Sequence, residues 1–529
     1  MKRFTVLLVL VLGAVSTLAQ TVDVAPATPA ARVLQSLVAT DASAERANIR
    51  NFYAPAGYRL AWTRNGRPTA QAATLISLFE SAEAKGLRSI DYGAGQWSAR
   101  VSDLTSDAAQ ARFDYAMTAT LVRYAEDVRS GRANPEPGMD SLYYPALVSR
   151  VATGDAAALV ASVEPQTDDY RRLLGALATY RRIAVVDTES LPVVTKLVKG
   201  SDYAALPQLA NRLRLLGDLS ADVKVEGTKY EGAIVDAVKH FQSRHGLEPD
   251  GIVARGTFTQ LNTPASQRVQ QIEIALERMR WTPVVQGPAI IVNIPEFRLR
   301  ALSADNEELT MRVVVGKAAG HKTPVFDGDL KHVVFRPYWS VPPSIQRNEI
   351  APKLSAAYAA KHNYEIVDGS GRVQSVTDET VRRVRNGSLQ VRQKPGTANA
   401  LGLVKFLFPN DNNVYLHSTP QPALFARTRR DFSHGCVRVE DPVKLAEWVL
   451  RARPEWNSEK IKATISGDRD DVYVKVDKPI TVKITYQTVV AQANGDVYFY
   501  DDIYGHDAKL IASLAPAAPK GAVLVAAKR

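Results

Sequence analysis

The chain has 529 residues, 46% of them hydrophobic and 23% charged, which excludes collagen-like, low-complexity and wholly disordered classes. Beyond the first 20 residues no apolar run approaches the ~20 needed to cross a bilayer, so a multispanning membrane protein is excluded as well. Formal charge is +11, and a single cysteine leaves no intramolecular disulfide and no multi-cysteine zinc site.

In chain order, Lys2 and Arg3 precede an apolar run from Phe4 to Leu12. Thr17 and Ala19 then place small residues before Gln20. This is the layout of a secretory signal peptide over residues 1–19, with an uncleaved anchor as the alternative. No cysteine stands at the cut, so a lipoprotein signal does not fit. Residues 20–32, rich in Ala, Pro and Thr, read as a linker. Residues 33–202 are mostly helical in pattern, as at Leu75, Leu78 and Phe79 and again at Leu173, Leu174, Leu177 and Tyr180.

Residues 203–264 form a small unit of their own. Leu206, Leu209, Leu213 and Leu216 predict a helix closed by Gly217, with Pro207 in its first turn. Ile234, Ala237, Val238 and Phe241 predict a second helix, Asp250-Gly251 a turn, and Thr257 to Leu261 a third short helix. Val269, Ile272, Leu276 and Met279 predict an amphipathic helix over 265–284 that returns to the first helical domain. From 285 to 507 the texture is β-rich, with runs such as Ala289–Ile294, Leu309–Val315, Val404–Phe408 and Val414–His417. Residues 343–397 interrupt it with polar, helix-like sequence the length of a flap. Residues 508–529 read as a flexible tail. The fold class is therefore multidomain α+β.

Export shapes how charge and cysteine are read. Outside the cytoplasm nucleic acid is a poor partner. Acidic envelope polymers and cell-wall carboxylates suit a basic protein, as does a plain solvated surface. A lone exported cysteine suggests a reactive thiol or an intermolecular bridge, against a buried inert residue. Cys436 lies in Phe432-Ser433-His434-Gly435-Cys436-Val437-Arg438. A thiol needs a base or cation beside it to act at neutral pH. His434 is two residues away, and His417 ends a strand from which a loop returns to Ser433. Either could be the base, and adjacent strands ~4.8 Å apart would bring His417 to the sulfur. Gly435 allows close backbone approach, and the amides around Gly435 and Cys436 could form an oxyanion hole. Acyl transfer through a thioester is the reaction class that follows.

His417 followed by Ser433-His434-Gly435-Cys436-Val437-Arg438 resembles the signature of the YkuD-type L,D-transpeptidases. Arg312–Lys317 with Thr323-Pro324, and Asn399-Ala400-Leu401-Gly402 through Lys405-Phe406, resemble other stretches of that family, and Pro337-Tyr338-Trp339 with Val341-Pro342 resembles its large periplasmic subgroup. Residues 203–264 resemble a three-helix peptidoglycan-binding domain, through Ala237–Gln242, Gly246-Leu247, Asp250-Gly251 and Gly256-Thr257. The resemblance implies a periplasmic enzyme with a helical scaffold domain, a peptidoglycan-binding-like domain and a mostly β catalytic domain of YkuD fold carrying a flap.

It also implies roles. Cys436 would attack a stem-peptide carbonyl, D-Ala would leave, and the amine of a second stem would take the acyl group to give a 3→3 cross-link. His417 would be the base, oriented by the backbone carbonyl of Ser418, with His434, Gly435 and Cys436 supplying oxyanion amides. Arg438, Ser433, Tyr415, Trp339 and Asn399 would bind substrate or hold the site together. No metal or organic cofactor is implied. Peptidoglycan stems and glycan are the implied partners, and carbapenems should acylate the same thiol. Water as acceptor would make the enzyme an L,D-carboxypeptidase or endopeptidase. A protein amine as acceptor would tether an outer-membrane protein to the wall. A noncatalytic wall-binding scaffold is the alternative outside enzymology.

Overall fold

The computed structural model describes residues 24–134, 143–282, 285, 287–303 and 306–515. The signal expected over 1–19 and most of the tail expected over 508–529 lie outside the described residues. The chain divides into two units, one ending at Gln166 and the other beginning at Thr167.

The first unit is helical. Its longest helix, α1 (Asp107–Ser130), starts where the Ser106 side chain accepts from the Ala109 amide. Phe79, Trp97, Phe113 and Tyr124 pack together in the core beside it. Asp114 on α1 is fully buried and accepts from the Ala61 and Trp62 amides, which pins the preceding loop to the helix. Burial pushes its carboxyl up to about 6, against those backbone donors.

The second unit opens with α2 (Asp168–Val186), followed by the helices α3 (Leu206–Leu215), α4 (Ala233–Arg244) and α5 (Arg255–Leu261). The apolar positions read from the sequence form one core here, including Leu206, Leu209, Leu213, Ile234, Val238, Phe241 and Phe258. Gly251 adopts φ +74°, and a Cβ there would press on Val235. Helix α6 (Ala265–Trp281) packs on α2 and on the hairpin Val489–Ala491/Val497–Phe499, through Leu173, Leu177, Tyr180, Ile272, Leu276 and Phe499. The partners of α6 therefore lie within the second unit, because its apolar stripe complements those of α2 and the hairpin.

The remainder is built on strands β1 (Ala289–Asn293), β2 (Arg298–Ser303), β3 (Asn306–Gly316), β4 (Phe326–Phe335), β5 (Val404–Leu407), β6 (Leu416–His417), β7 (Asp431–Ser433), β8 (Val437–Val439) and β9 (Val472–Thr485). They pair in the order β7-β3-β8-β6-β5-β4-β9-β1-β2, and β2 pairs again with β3, so the ladder closes. Closure leaves little exposed edge. The β6–β8 and β1–β9 pairs are parallel, and the β5–β6 pair is antiparallel. Alternate residues such as Val404, Phe406, Leu416, Val437 and Val439 fill the core inside. Their neighbours Lys405, Tyr415, His417, Cys436 and Arg438 are left on the opposite face.

Residues 339–393 fold as a subdomain rather than as the polar, helix-like insert expected. Strands Trp339–Ser340, Gln390–Gln393, Tyr364–Val367 and Val373–Gln374 make a four-stranded antiparallel sheet. The sheet and its short helices enclose Val341, Ile350, Leu354, Ile366, Val384 and Val391. Buried Gln346 stitches it by donating to the Val384 and Leu389 carbonyls and accepting from the Val391 amide. At the end of the chain, the tail expected from residue 508 is corrected in its first part. Helix α7 (His506–Leu514) is ordered because Asp502 accepts from the His506 and Asp507 amides and Leu510 is buried.

Candidate active site

The strand register assembles the site. Lys405 on β5 pairs with His417 on β6, and His417 pairs with Arg438 on β8. Cross-strand partners share a face, so these side chains form a row across three adjacent strands. Cys436 precedes β8 and Tyr415 precedes β6, one step back on that same face. The Tyr415 carbonyl accepts from the Val437 amide at 3.1 Å, which fixes the two chains there.

His417 is 4% exposed. Its Nδ1 lies 2.6 Å from the Ser418 carbonyl, which can only accept. Nδ1 therefore carries the proton, and neutral His417 keeps a lone pair on Nε2. Burial, then the charge of Arg438, holds this imidazole down to about 3 against the carbonyl contacts, with Lys405 adding to the lowering. His417 is thus neutral at pH 7. Cys436 is half-buried, and its thiol donates to the Asn413 carbonyl at 3.8 Å. Burial pushes the thiol up, while the Tyr415 amide and hydroxyl, Lys405 and Arg438 pull it down. No hydrogen bond joins His417 to Cys436. In a substrate-free site such contacts commonly tighten only with substrate bound.

The nucleophile loop is braced from behind. Ser433 donates its hydroxyl to the Cys436 carbonyl at 2.6 Å and accepts from the Gly435 amide at 3.1 Å. Gly435 adopts φ +117°, a conformation open to glycine. Its amide is thereby engaged, so of the three amides read as oxyanion donors, only those of His434 and Cys436 remain uncommitted among the described residues. Thr323, fully buried, donates to the Gly435 carbonyl at 2.7 Å and accepts from the Gly316 amide at 2.9 Å. Tyr504 donates to the Gly316 carbonyl at 2.5 Å.

His434 is engaged by other residues. Its Nε2 lies 2.8 Å from Glu349 of the 339–393 subdomain, and its ring lies 4.5 Å from that of His321. Of the two histidines considered as base, His417 is the one aligned with Cys436 across the ladder.

Asn399, 1% exposed, spends its side chain on backbone, donating to Pro337, Gln393 and Lys394 carbonyls and accepting from the Leu401 amide. It clamps both ends of the subdomain. The Ser418 hydroxyl donates to the Leu401 carbonyl and accepts from the Leu403 and Val404 amides. Trp339, at the subdomain's root, reaches the Tyr415 hydroxyl, whose ring lies 5.7 Å from His417. Arg438 donates to Gln421 at 3.1 Å, while its buried Nε has no partner among the described residues.

Sequence reasoning missed Asn413, Glu349, Gln421 and Tyr504 as parts of the site, and named Lys405 and Thr323 only for their resemblance. A strand-register argument from β5 to β6 was the one signal that could have found Lys405. Among the described residues no three His, Cys, Asp or Glu side chains group as a metal site, and no helix is long and apolar enough to cross a membrane.

Three family descriptions match this layout. The L,D-transpeptidase catalytic domain, YkuD, matches residues 287–479. The chain carries a YkuD domain. The scaffold domain matches residues 47–177, and the family described as "Putative peptidoglycan binding domain" matches residues 203–261. A Haemophilus influenzae protein named "Putative L,D-transpeptidase" is 32% identical over 248 residues. That match covers 46% of this chain and 50% of the relative, so the chain spans half the length of the curated relative it matches. L,D-transpeptidase crystal structures from Xylanimonas cellulosilytica and Stackebrandtia nassauensis are each 14% identical. They cover 56% of this chain and 99% and 97% of their own, at TM-scores of 0.19 and 0.22, too low to carry an argument. All of Cys436, His417, Ser433 and Arg438 fall inside the YkuD match, as does the 339–393 subdomain.

Proposed function

We propose that the protein is an extracytoplasmic peptidoglycan L,D-transpeptidase. In this reading Cys436 is the nucleophile. Its proton passes to Nε2 of His417, the sulfur attacks the carbonyl of a donor stem, and the oxyanion is met by uncommitted amides of the 434–436 loop. The proton on His417 then goes to the departing D-Ala amine as the thioester forms. An amine of a second stem attacks the thioester, gives its proton to His417, and releases the thiol with a 3→3 cross-link formed. The observation that supports this best is the pairing of His417 with Arg438 across the parallel β6–β8 ladder, beside the only cysteine of the chain, with Nδ1 committed to the Ser418 carbonyl.

The 339–393 subdomain supports a transferase over a hydrolase. Glu349 on it reaches His434 of the nucleophile loop, and in this reading the subdomain acts as a lid that limits water as acceptor. The test is intact-protein mass spectrometry of wild type and Cys436→Ala with a disaccharide-tetrapeptide and, separately, a carbapenem. An adduct on wild type alone, with a 3→3 dimer among the products, is the expected result. An adduct with tripeptide as sole product means water is the acceptor, and no adduct at all overturns the reading.

A further inference from the structure

Lys405 brings a positive charge into the row of site residues. No carboxylate forms an ion pair with it among the described residues. It is half-buried, and its ammonium lies 4.1 Å over the ring of Tyr415. Its strand neighbour across β5–β6 is His417, and the next residue in that row, on β8, is Arg438. His417 is therefore flanked on both sides by a positive charge at strand spacing, ~4.8 Å per strand. The sulfur of Cys436 lies one step along the same face, next to Tyr415.

The groups that bear on this cluster come from every element packed around it. Lys405 comes from β5, His417 from β6 with Tyr415 just before it, and Arg438 from β8 with Cys436 just before it. Asp471, which precedes β9, also acts on Lys405, whose ammonium burial itself pushes down. A half-buried ammonium held against an aromatic face, with no carboxylate in ion-pair contact, projects its charge onto whatever anion forms nearby. The anion that forms on this face is the thiolate.

We propose that Lys405 is a positioning residue for charge: held over the Tyr415 ring, it favours the Cys436 thiolate and disfavours the His417 imidazolium. This rests on the reading of Cys436 as nucleophile. Both effects move their titrations in the same direction. Removing the cation should make the thiol a weaker acid and the imidazole a stronger base. A residue that merely packs would move neither in that pattern.

The test is the pH profile of Cys436 alkylation by iodoacetamide, in which the thiolate sulfur displaces iodide and the thiol proton goes to buffer. Wild type, Lys405→Met and Lys405→Arg are compared, with Cys436→Ala as the blank. Met keeps an unbranched stem over Tyr415, and thermal unfolding checks that each variant is folded. In Lys405→Met the alkylation midpoint should rise by about one pH unit, so the rate below it falls about tenfold. The His417 ring titration, followed by NMR on labelled histidine, should rise as well. Lys405→Arg should restore both toward wild type. A folded Lys405→Met with the wild-type midpoint overturns the proposal, and so does an Arg variant that behaves like Met. Failure of the parent reading looks different: wild type alkylates normally yet forms no adduct with tetrapeptide or carbapenem.

Discussion

Thr323 shows how much of the site depends on residues that do no chemistry. Among the described residues its hydroxyl alone joins the Gly316 amide to the Gly435 carbonyl, both buried. Thr323→Val keeps the shape and leaves both groups unpaired. It should destabilise by roughly 2 kcal/mol in denaturant unfolding and slow acylation of Cys436, because Gly435 loses its brace. Ser418→Ala should behave otherwise. The hydroxyl holds the Leu403 and Val404 amides, so stability should fall by about 1–3 kcal/mol. The acceptor for His417 Nδ1 is the backbone carbonyl, which alanine retains. The tautomer, and with it most of the alkylation rate, should survive. His417 itself imposes a pH dependence. Its folded value is about 3, below the ~6.5 of an unfolded histidine. Between these values the unfolded chain binds a proton that the folded one does not, so stability is full above about pH 6.5 and falls as pH drops toward 3. His417→Gln should flatten that slope between pH 4.5 and 7 in denaturant midpoints.

Among the elements, the 339–393 subdomain makes the sharpest prediction. It contributes no strand to the closed ladder and has its own core. Its two ends meet as cross-strand partners, Ser340 with Arg392. Replacing Val341–Val391 by a short Gly-Ser turn should leave the β-rich body folded by circular dichroism and turn the product toward hydrolysed tripeptide. The difference between what the sequence announced and what it concealed is clearest here. Helices α3 and α4 were legible because their apolar residues repeat at helical spacing over about three turns. The strands of the subdomain are two to four residues long. Too few alternations occur to reveal a sheet. At the site, Cys436 and His417 stood out through chemistry and local motif. Lys405 and Thr323 did not, since what brings Thr323 to Gly435, 112 residues away in sequence, is register and tertiary packing.

At the scale of the second unit, the helical module α3–α5 is fixed to the rest of that unit by buried charge. Arg244 pairs with Asp218 and donates to the Leu216 carbonyl and, beyond the module, to Val497 at 2.7 Å. His245 stacks between Phe241 and Phe499, and Glu248 accepts from Thr428 on the segment leading to β7. Arg244→Ala leaves Asp218 buried with His240 as its remaining partner and should raise hydrogen exchange in both α4 and the 489–499 hairpin, whereas a loosely tethered module would respond in α4 alone.

That attachment turns the module into a ruler. A domain on a flexible tether samples many distances, and its hold on a polymer says little about where along the polymer the chemistry occurs. A domain locked by Arg244, His245 and Glu248 has one offset from Cys436. Any strand of cell wall it grips would present its stems to the thiol at a set spacing, and the same rigidity would turn away strands whose stems fall out of step.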